Sequence, residues 1–558
     1  MSELHDRISG LSPIKRMLLE KLRIAGRGAP DTQIPRRTDG AGPLSWEQRR
    51  LWFMHRLTPG GPAYTIPIAF RLHGALDARA LSSAIRNLVE RHQALRLAFR
   101  EVDGEPVQEA GSAERIPIES DDLRASGDAD ARIAEFFARG FDLAREPPFR
   151  AMLARTADDA HVLAMALHHV ASDGASTPVL LREMSALYAA AVDGRDAHLA
   201  DPPLQLPDFA AWQRGRAADA DGAAWWRDTL AGAPHVLEVP ADHPRPAAQS
   251  FAGSRVAFAL AADASRAVHA RAAAEHASLF SVLAAAFAVV LHRATGEGNL
   301  LMGTAVANRD APGAEAAVGF FANTVPLHIR VDGEDPARAL IGRARQAVAE
   351  AQDHARVPFD RIVEAADVRR DPSRPPLVQV MISLDPAEEE ALALPGIRAE
   401  RIAVDTGASP FDLTLALVDA PGGIRGEIQY RTDLYAPATV RRLADRFAAV
   451  LRAFAADPAM RIADLPLVSA EERRALAAWS RTGDVPADGC VHGLIEAQAR
   501  ATPDALAVAW ADQEVSYAEL NRRANRIAHH LAARGISAEA RVGVLMARTP
   551  AMVAAFLG

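Results

Sequence analysis

Strand-like and helix-like segments alternate through most of this chain, and alternation of that kind builds layered α/β folds rather than pure bundles or sandwiches. Strands are expected at Tyr64 to Leu72, Leu95 to Phe99 and Val162 to Leu167, with helices at Ser45 to Met54, Asp77 to Arg91 and Pro178 to Val192. After Trp225-Trp226 the mix is repeated. Strands are expected at Arg255 to Leu260, Leu300 to Ala305, Thr324 to Ile329, Val378 to Ser383, Leu413 to Val418 and Ile424 to Tyr430. Helices are expected at Asp263 to His276, Leu279 to His292, Pro336 to Gln352 and Ala438 to Ala455. Two halves with the same elements at similar length point to two related lobes that meet at a cleft, where ligands usually bind.

A chain of 558 residues has room for roughly three or four domain-sized units. Residues 1–43 read as a helix, opened by Ser12-Pro13 and running to Ile24, followed by a Gly/Pro/Arg-rich linker; residues 1–25 are a possible partner-docking segment. Residues 44–220 form the first lobe and 221–456 the second. Residues 457–489 read as a polar inter-domain linker. Residues 490–558 open a further α/β unit, with Val515 to Leu520, a helix to Arg534 and a strand from Arg541 to Met546.

Composition removes several function classes. A net charge of −8 without a basic patch argues against nucleic acid. The most apolar stretch, Leu279 to Leu291, is shorter than the about 20 residues a bilayer span needs, and no secretory leader is visible, so a cytoplasmic protein without membrane contact is expected. The single cysteine, Cys490, excludes an internal disulfide framework. Lysine occurs only at Lys15 and Lys21, so any chemistry that needs a later lysine is absent.

The chemistry concentrates at Leu167-His168-His169-Val170-Ala171-Ser172-Asp173-Gly174, where an apolar strand ends on two imidazoles, a carboxylate and a glycine. Consecutive strand residues point to opposite faces, so His168 and His169 do not chelate one metal together, and no further ligands stand at metal-site spacing. One of the two faces the cleft, where a histidine moves protons near neutral pH. Asp173 either orients an imidazole or locks the loop through an arginine. Gly174 permits a tight turn whose amides can donate to an oxyanion. Neither a G-x-S-x-G elbow nor a phosphate-binding G-x-x-x-x-G-K-[ST] loop is present.

Six further segments recur in order around this motif: Leu44 to Trp52 (LSWEQRRLW), Arg91 to Phe99 (RHQALRLAF), Asp208 to Gln213 (DFAAWQ), Val318 to Thr324 (VGFFANT), Gln352-Asp353 with Val357-Pro358-Phe359, and Arg370 to Val380 (RDPSRPPLVQV). With them, the chain resembles the condensation domains of nonribosomal peptide synthetases. The resemblance implies two chloramphenicol-acetyltransferase-like lobes in a V-shaped pseudo-dimer around a central tunnel. It implies amide formation between an upstream acyl or peptidyl thioester and the amine of a downstream aminoacyl thioester. Both are carried on 4'-phosphopantetheine arms of carrier domains, and no cofactor or metal is bound directly. By this likeness His169 is catalytic, His168 and Asp173 support it, Arg309 pairs with Asp173, and Gly174 and Ser176 lie close to the reacting carbonyl. Residues 490–558 resemble the truncated start of an adenylation domain, whose remainder is an expected partner; adenylation itself is not expected of this chain. The central motif differs from the Asp-x-x-x-x-Asp of heterocyclisation domains. The following adenylation-like start differs from the usual setting of epimerisation domains. Two alternatives stay open: a starter domain that acylates the first amino acid from a fatty acyl-CoA or acyl carrier, and a non-catalytic carrier-docking platform.

Overall fold

The computed structural model describes residues 34–37, 40–57, 60–125, 127–216, 219–386, 392–481 and 489–558. The expected helix Ser12 to Ile24 lies outside them. The described chain divides into one compact unit that ends at Ser469 and a second from Ala470 to Gly558.

The first lobe is built on a sheet whose centre is the strand that carries the motif. Its elements are α1 (Trp46–Leu57), β1 (Thr65–His73), α2 (Ala78–Arg91), β2 (Ile118–Asp122), β3 (Phe149–Ala157), β4 (Ala160–His168), α3 (Ser176–Val192) and α4 (Leu206–Gly215). β4 runs antiparallel between β1 and β3, with Thr65 opposite His168 and Phe149 opposite Leu167. Every residue of β4 from His161 to His168 is buried, which is why its sequence reads as continuous apolar rather than alternating. α2 starts on Asp77, whose carboxylate accepts from the Arg79 and Ala80 amides at 2.9 Å. Its Leu81, Ile85, Leu88 and Val89 stripe packs into the lobe core.

The second lobe carries a six-stranded sheet from β5 (Gly253–Ala259), β6 (Asn299–Val306), β7 (Asn323–Arg330), β8 (Val380–Pro386), β10 (Leu413–Ala420) and β11 (Gly423–Arg431), in the order β7-β6-β8-β10-β11-β5. Helices α5 (Ala262–Ala274), α6 (Leu279–Thr295), α7 (Ala337–Asp353) and α8 (Pro437–Ala456) pack into its core. α6 is buried from Ser281 to Leu291, capped by the Ser278 hydroxyl at its start and by Gly296 (φ 78°) at its end. It is a core helix, and no single helix among the described residues is long and apolar enough to cross a membrane.

Two lobes of mixed α/β structure are as the sequence predicts, but their boundaries are not. Leu97–Val102, Glu105–Ala110 and Gly42–Pro43 form a separate three-stranded sheet, while a further strand, β9 (Arg398–Arg401), belongs by sequence to the second half yet pairs antiparallel with β1 and completes the first lobe's sheet. Ala314, Ala317, Val318, Phe321, Leu392 and Leu394 also lie in the first lobe's core. A single cut at residue 220 therefore misplaces two segments, because periodicity identifies an element without saying which sheet receives it. Residues 457–469, expected as linker, pack on the second lobe through Ile462, Leu465 and Leu467. The expected linker also contains the helix Ala470–Trp479.

In the smaller unit a two-stranded hairpin, Leu506–Trp510 with Gln513–Ser516, packs with the helix Tyr517–Ala533 around Val515, Leu520 and Ala554. The expected strand from Arg541 to Met546 is not formed: it has no ladder partner among the described residues, and Leu545 is fully exposed. The run is largely exposed, so water takes the place of a ladder partner for its backbone groups.

Helices α2 and α3 are tied by a buried charge cluster. Glu183 accepts from Arg91 Nε at 2.9 Å and lies 2.8 Å from His92 Nε2. Burial alone would raise the Glu183 carboxyl, but the hydrogen bonds from His92 and Arg91 outweigh it and hold it at about 2. A depressed carboxylate stabilises the fold above its unfolded value and loses that contribution as pH falls toward the folded one. We expect Glu183→Gln to cost on the order of 3 kcal/mol at pH 7 and progressively less between pH 4.5 and 2, as read by denaturant unfolding across that window.

Candidate active site

The motif begins where β4 ends. A single 3-10 turn, His169–Ala171, lifts the chain off the sheet, and α3 starts at Ser176. Between them Asp173 is 2% exposed, and both of its carboxylate oxygens accept hydrogen bonds. Oδ1 accepts from the Ser176 amide at 3.1 Å, the Ser176 hydroxyl at 2.8 Å and Arg309 Nη2 at 2.6 Å. Oδ2 accepts from the Phe321 amide at 3.1 Å. Arg309 in turn donates to the carbonyls of Ala314 and Ala317 and lies 4.5 Å from the centre of the Phe321 ring. The ion pair thus stitches the second-half segment 309–321 to the motif turn. Of the two roles open to Asp173 in the sequence, the geometry is that of a lock on the loop.

Ser176 is fully buried. Its hydroxyl is shared among Asp173, Arg309 and the Gly319 backbone, so in this structure it is engaged in holding the turn. Gly174 is exposed and is not among the glycines with positive φ, so the turn does not require it on conformational grounds. A Cβ at Gly174 would meet no atom within 4 Å; the space above it is open.

The two histidines part as consecutive strand residues do. His168 is 4% exposed, and its Nδ1 accepts from the Val170 amide at 3.0 Å. Burial, with His169 and His55 adding to it, holds its pKa well below the usual histidine range. It is a neutral packing residue against Tyr64 and Phe141. His169 is only half-buried, and its ring meets Phe320 edge-on at 5.8 Å. Its Nδ1 lies 3.2 Å from the Ser172 carbonyl. A carbonyl only accepts, so Nδ1 carries the hydrogen and Nε2 keeps its lone pair. Burial lowers the His169 pKa, with Asp173 and the Ser172 carbonyl opposing it. The arrangement presents one neutral imidazole with a basic nitrogen free.

Gln48 is a supporting residue to which the sequence reading gave no role. Ser45 Oγ accepts from the Gln48 amide at 3.1 Å while Gln48 Oε1 accepts from the Ser45 amide at 2.9 Å, a capping box at the start of α1. Gln48 Nε2 then donates to the Val170 carbonyl at 3.2 Å, next to His169. The Ser-x-x-Gln spacing was visible at residues 45–48; its reach to residue 170 was not. Among the described residues no cluster of His, Cys, Asp and Glu side chains has the geometry of a metal site.

The family model described as "Condensation domain" matches residues 39–477, and the model described as "AMP-binding enzyme" gives a partial match over residues 495–558. Phosphinothricin tripeptide synthetase PhsC from Streptomyces viridochromogenes is 38% identical over all of this chain, which spans 53% of that protein's length. Among solved structures, the X-domain in its complex with OxyB from teicoplanin biosynthesis is 29% identical, with a TM-score of 0.72 over 79% of this chain and 99% of that one. A four-domain nonribosomal peptide synthetase bound to AMP and glycine superposes with a TM-score of 0.81 over 96% of this chain and 42% of that one; at 24% identity it speaks for the fold alone.

Removing one partner of a buried ion pair strands the other charge, at a cost of about 3–5 kcal/mol. We expect Asp173→Ala to lower the melting temperature of the larger unit, and Asp173→Ala with Arg309→Met to recover part of the loss. Thermal melts of the two variants beside wild type check this, and equal melting points for wild type and Asp173→Ala would contradict it.

Proposed function

This chain belongs to the condensation-domain family of the nonribosomal peptide synthetases, and from that membership we propose that it joins an upstream acyl or peptidyl thioester to the amine of a downstream aminoacyl thioester, with His169 handling the proton. The observation that carries this reading is the state of His169: neutral, half-exposed, its Nδ1–H held on the Ser172 carbonyl and its Nε2 unoccupied. In the proposed step the acceptor amine attacks the donor thioester carbon, and the carbonyl π electrons move to oxygen. His169 Nε2 takes the proton that the amine gives up. Collapse of the tetrahedral intermediate breaks the C–S bond, and the departing sulfur takes the proton back from the imidazolium. Amide, free thiol and neutral His169 remain. The open space above Gly174 is consistent with backbone that substrates approach closely.

Asp173, Arg309 and Ser176 are positioning residues in this scheme: they fix the turn on which His169 stands and touch no reacting atom. His168 anchors the strand end. The substrates would arrive on the 4'-phosphopantetheine arms of an upstream and a downstream carrier domain, with the remainder of the adenylation domain supplying the acceptor. One cysteine in the whole chain fits a reducing, cytoplasmic setting.

Similarity to an X-domain solved with OxyB favours one other reading, a docking platform without chemistry of its own. His169→Ala separates the two. We expect amide formation between donor-loaded and acceptor-loaded carriers to fall by about 10²- to 10⁴-fold, the usual worth of a positioned base; unchanged turnover would leave His169 without the role assigned to it. Offering acyl-CoA and donor-loaded carrier separately to one acceptor carrier tests the donor: product is expected only from the carrier, and amide from acyl-CoA alone would favour a starter domain. The reaction needs neutral His169, and burial lowers its pKa, so once protonation of the acceptor amine (pKa about 7.7–8.0) is divided out, no second acid limb is expected until below 6.5. A second limb at or above 6.5 that disappears in His169→Ala would contradict this.

A further inference from the structure

A cavity of about 280 Å³ lies on the His168 side of the motif, and both lobes line it. His55, Ala63, Tyr64 and His168 come from the first lobe; Phe251 and Gly407 come from the second. The Tyr64 and Phe251 rings meet across the lobe boundary with centroids 6.4 Å apart, and Tyr64 also lies 6.2 Å from His168. Phe251 holds φ at +61°, a region that bulky residues rarely enter. Its carbonyl accepts from the Ser409 amide at 2.8 Å, and the neighbouring Gly253 amide donates to Gly407 at 2.9 Å. The strained residue is therefore fixed from both sides.

None of the lining residues is aspartate, glutamate, lysine or arginine. Burial keeps both His55 and His168 below the usual histidine pKa, so the two imidazoles bring no charge either. The polar side-chain atoms of the lining come from Tyr64, Ser250 and the two histidines. His168 uses Nδ1 to accept from Val170, so its hydrogen sits on Nε2; that nitrogen is not a sealed-off orphan but borders the open space of the cavity. For scale, a dry cavity of about 150 Å³ takes a benzene ring.

We propose that this cavity is a side-chain compartment of the reaction site. It receives an uncharged, mainly apolar group, aryl or branched alkyl, carried by one of the two thioester substrates, and the His168 Nε2–H donates to an acceptor atom of that substrate. The inference rests on the amide-forming reading above, and it adds which groups the site selects. A charged side chain would lose its hydration and find no counter-ion there, so charged substrates are discriminated against. Because both lobes form the walls, lobe spacing sets the size of group admitted.

The test measures amide formation by the whole chain in two arms. One varies the donor (acetyl, isovaleryl, phenylacetyl pantetheine) against a glycyl-pantetheine acceptor; the other varies the acceptor (glycyl, leucyl, phenylalanyl pantetheine) against an acetyl donor. Ala63→Leu fills the compartment, and Phe251→Gly widens it while removing the positive-φ strain. In one arm, the rate ratio of the largest to the smallest group is expected to fall at least tenfold in Ala63→Leu and to rise in Phe251→Gly. The arm that moves identifies the substrate that enters. Ratios unchanged in both arms, with wild type active, would overturn the compartment and leave the amide-forming reading intact. Wild type inactive with every pair, and also with carrier-loaded substrates, would overturn both. If Phe251→Gly does not fold, the ratio in Ala63→Leu alone decides.

Discussion

One carboxylate holds the site together. Asp173 gathers an amide and a hydroxyl from Ser176, an amide from Phe321 and a guanidinium from Arg309, all without contact with solvent. Charge-assisted bonds of this kind are stronger than neutral ones, and three of the four here converge on Oδ1. The motif turn, the N-terminus of α3 and the segment 309–321 therefore have a common fixed point. His169 inherits its position from that point: its ring is set by the Ser172 carbonyl, one residue before Asp173. The acid nearest the histidine thus makes no hydrogen bond to the ring: it holds the backbone on which the ring stands and opposes the lowering of its pKa through space.

The second consequence concerns the lobes. Arg309 and Phe321 come from the second half of the sequence, yet they complete the first lobe's core beneath the motif. With β9 on the opposite part of the sheet, the second half grips the first at two separated places. The compartment beside His168 lies where residues of both halves meet again. Geometry at the strand end is a property of the whole larger unit, and neither half contains it alone.

Much of this was legible in the sequence, for reasons that differ by level. The central strand was readable because a strand buried on both faces must be apolar throughout, and the helices because their apolar stripes repeat at helical spacing. The division between His168 and His169 followed from strand geometry, and the Asp173–Arg309 pairing was implied by the family likeness. The Ser176 bonds to Asp173, Arg309 and Gly319 were not readable, because the last two lie more than 130 residues away in sequence. Gln48 and Phe251 went unassigned because their roles are long-range: one reaches residue 170, the other closes a wall against Tyr64. β9 could not be placed because its four residues carry too little pattern to name a partner strand.

That strand bears on how the protein is made. Until β9 is synthesised, β1 presents an unpaired edge, the kind of surface on which other chains can add. The motif strand ends at His168, and β9 is complete about 230 residues later. At common rates of synthesis that gap lasts roughly 10 to 50 seconds. A first lobe emerging from the ribosome must wait that long with its sheet open, so its yield in a cell depends on what shields the edge during translation as much as on the stability of the finished fold.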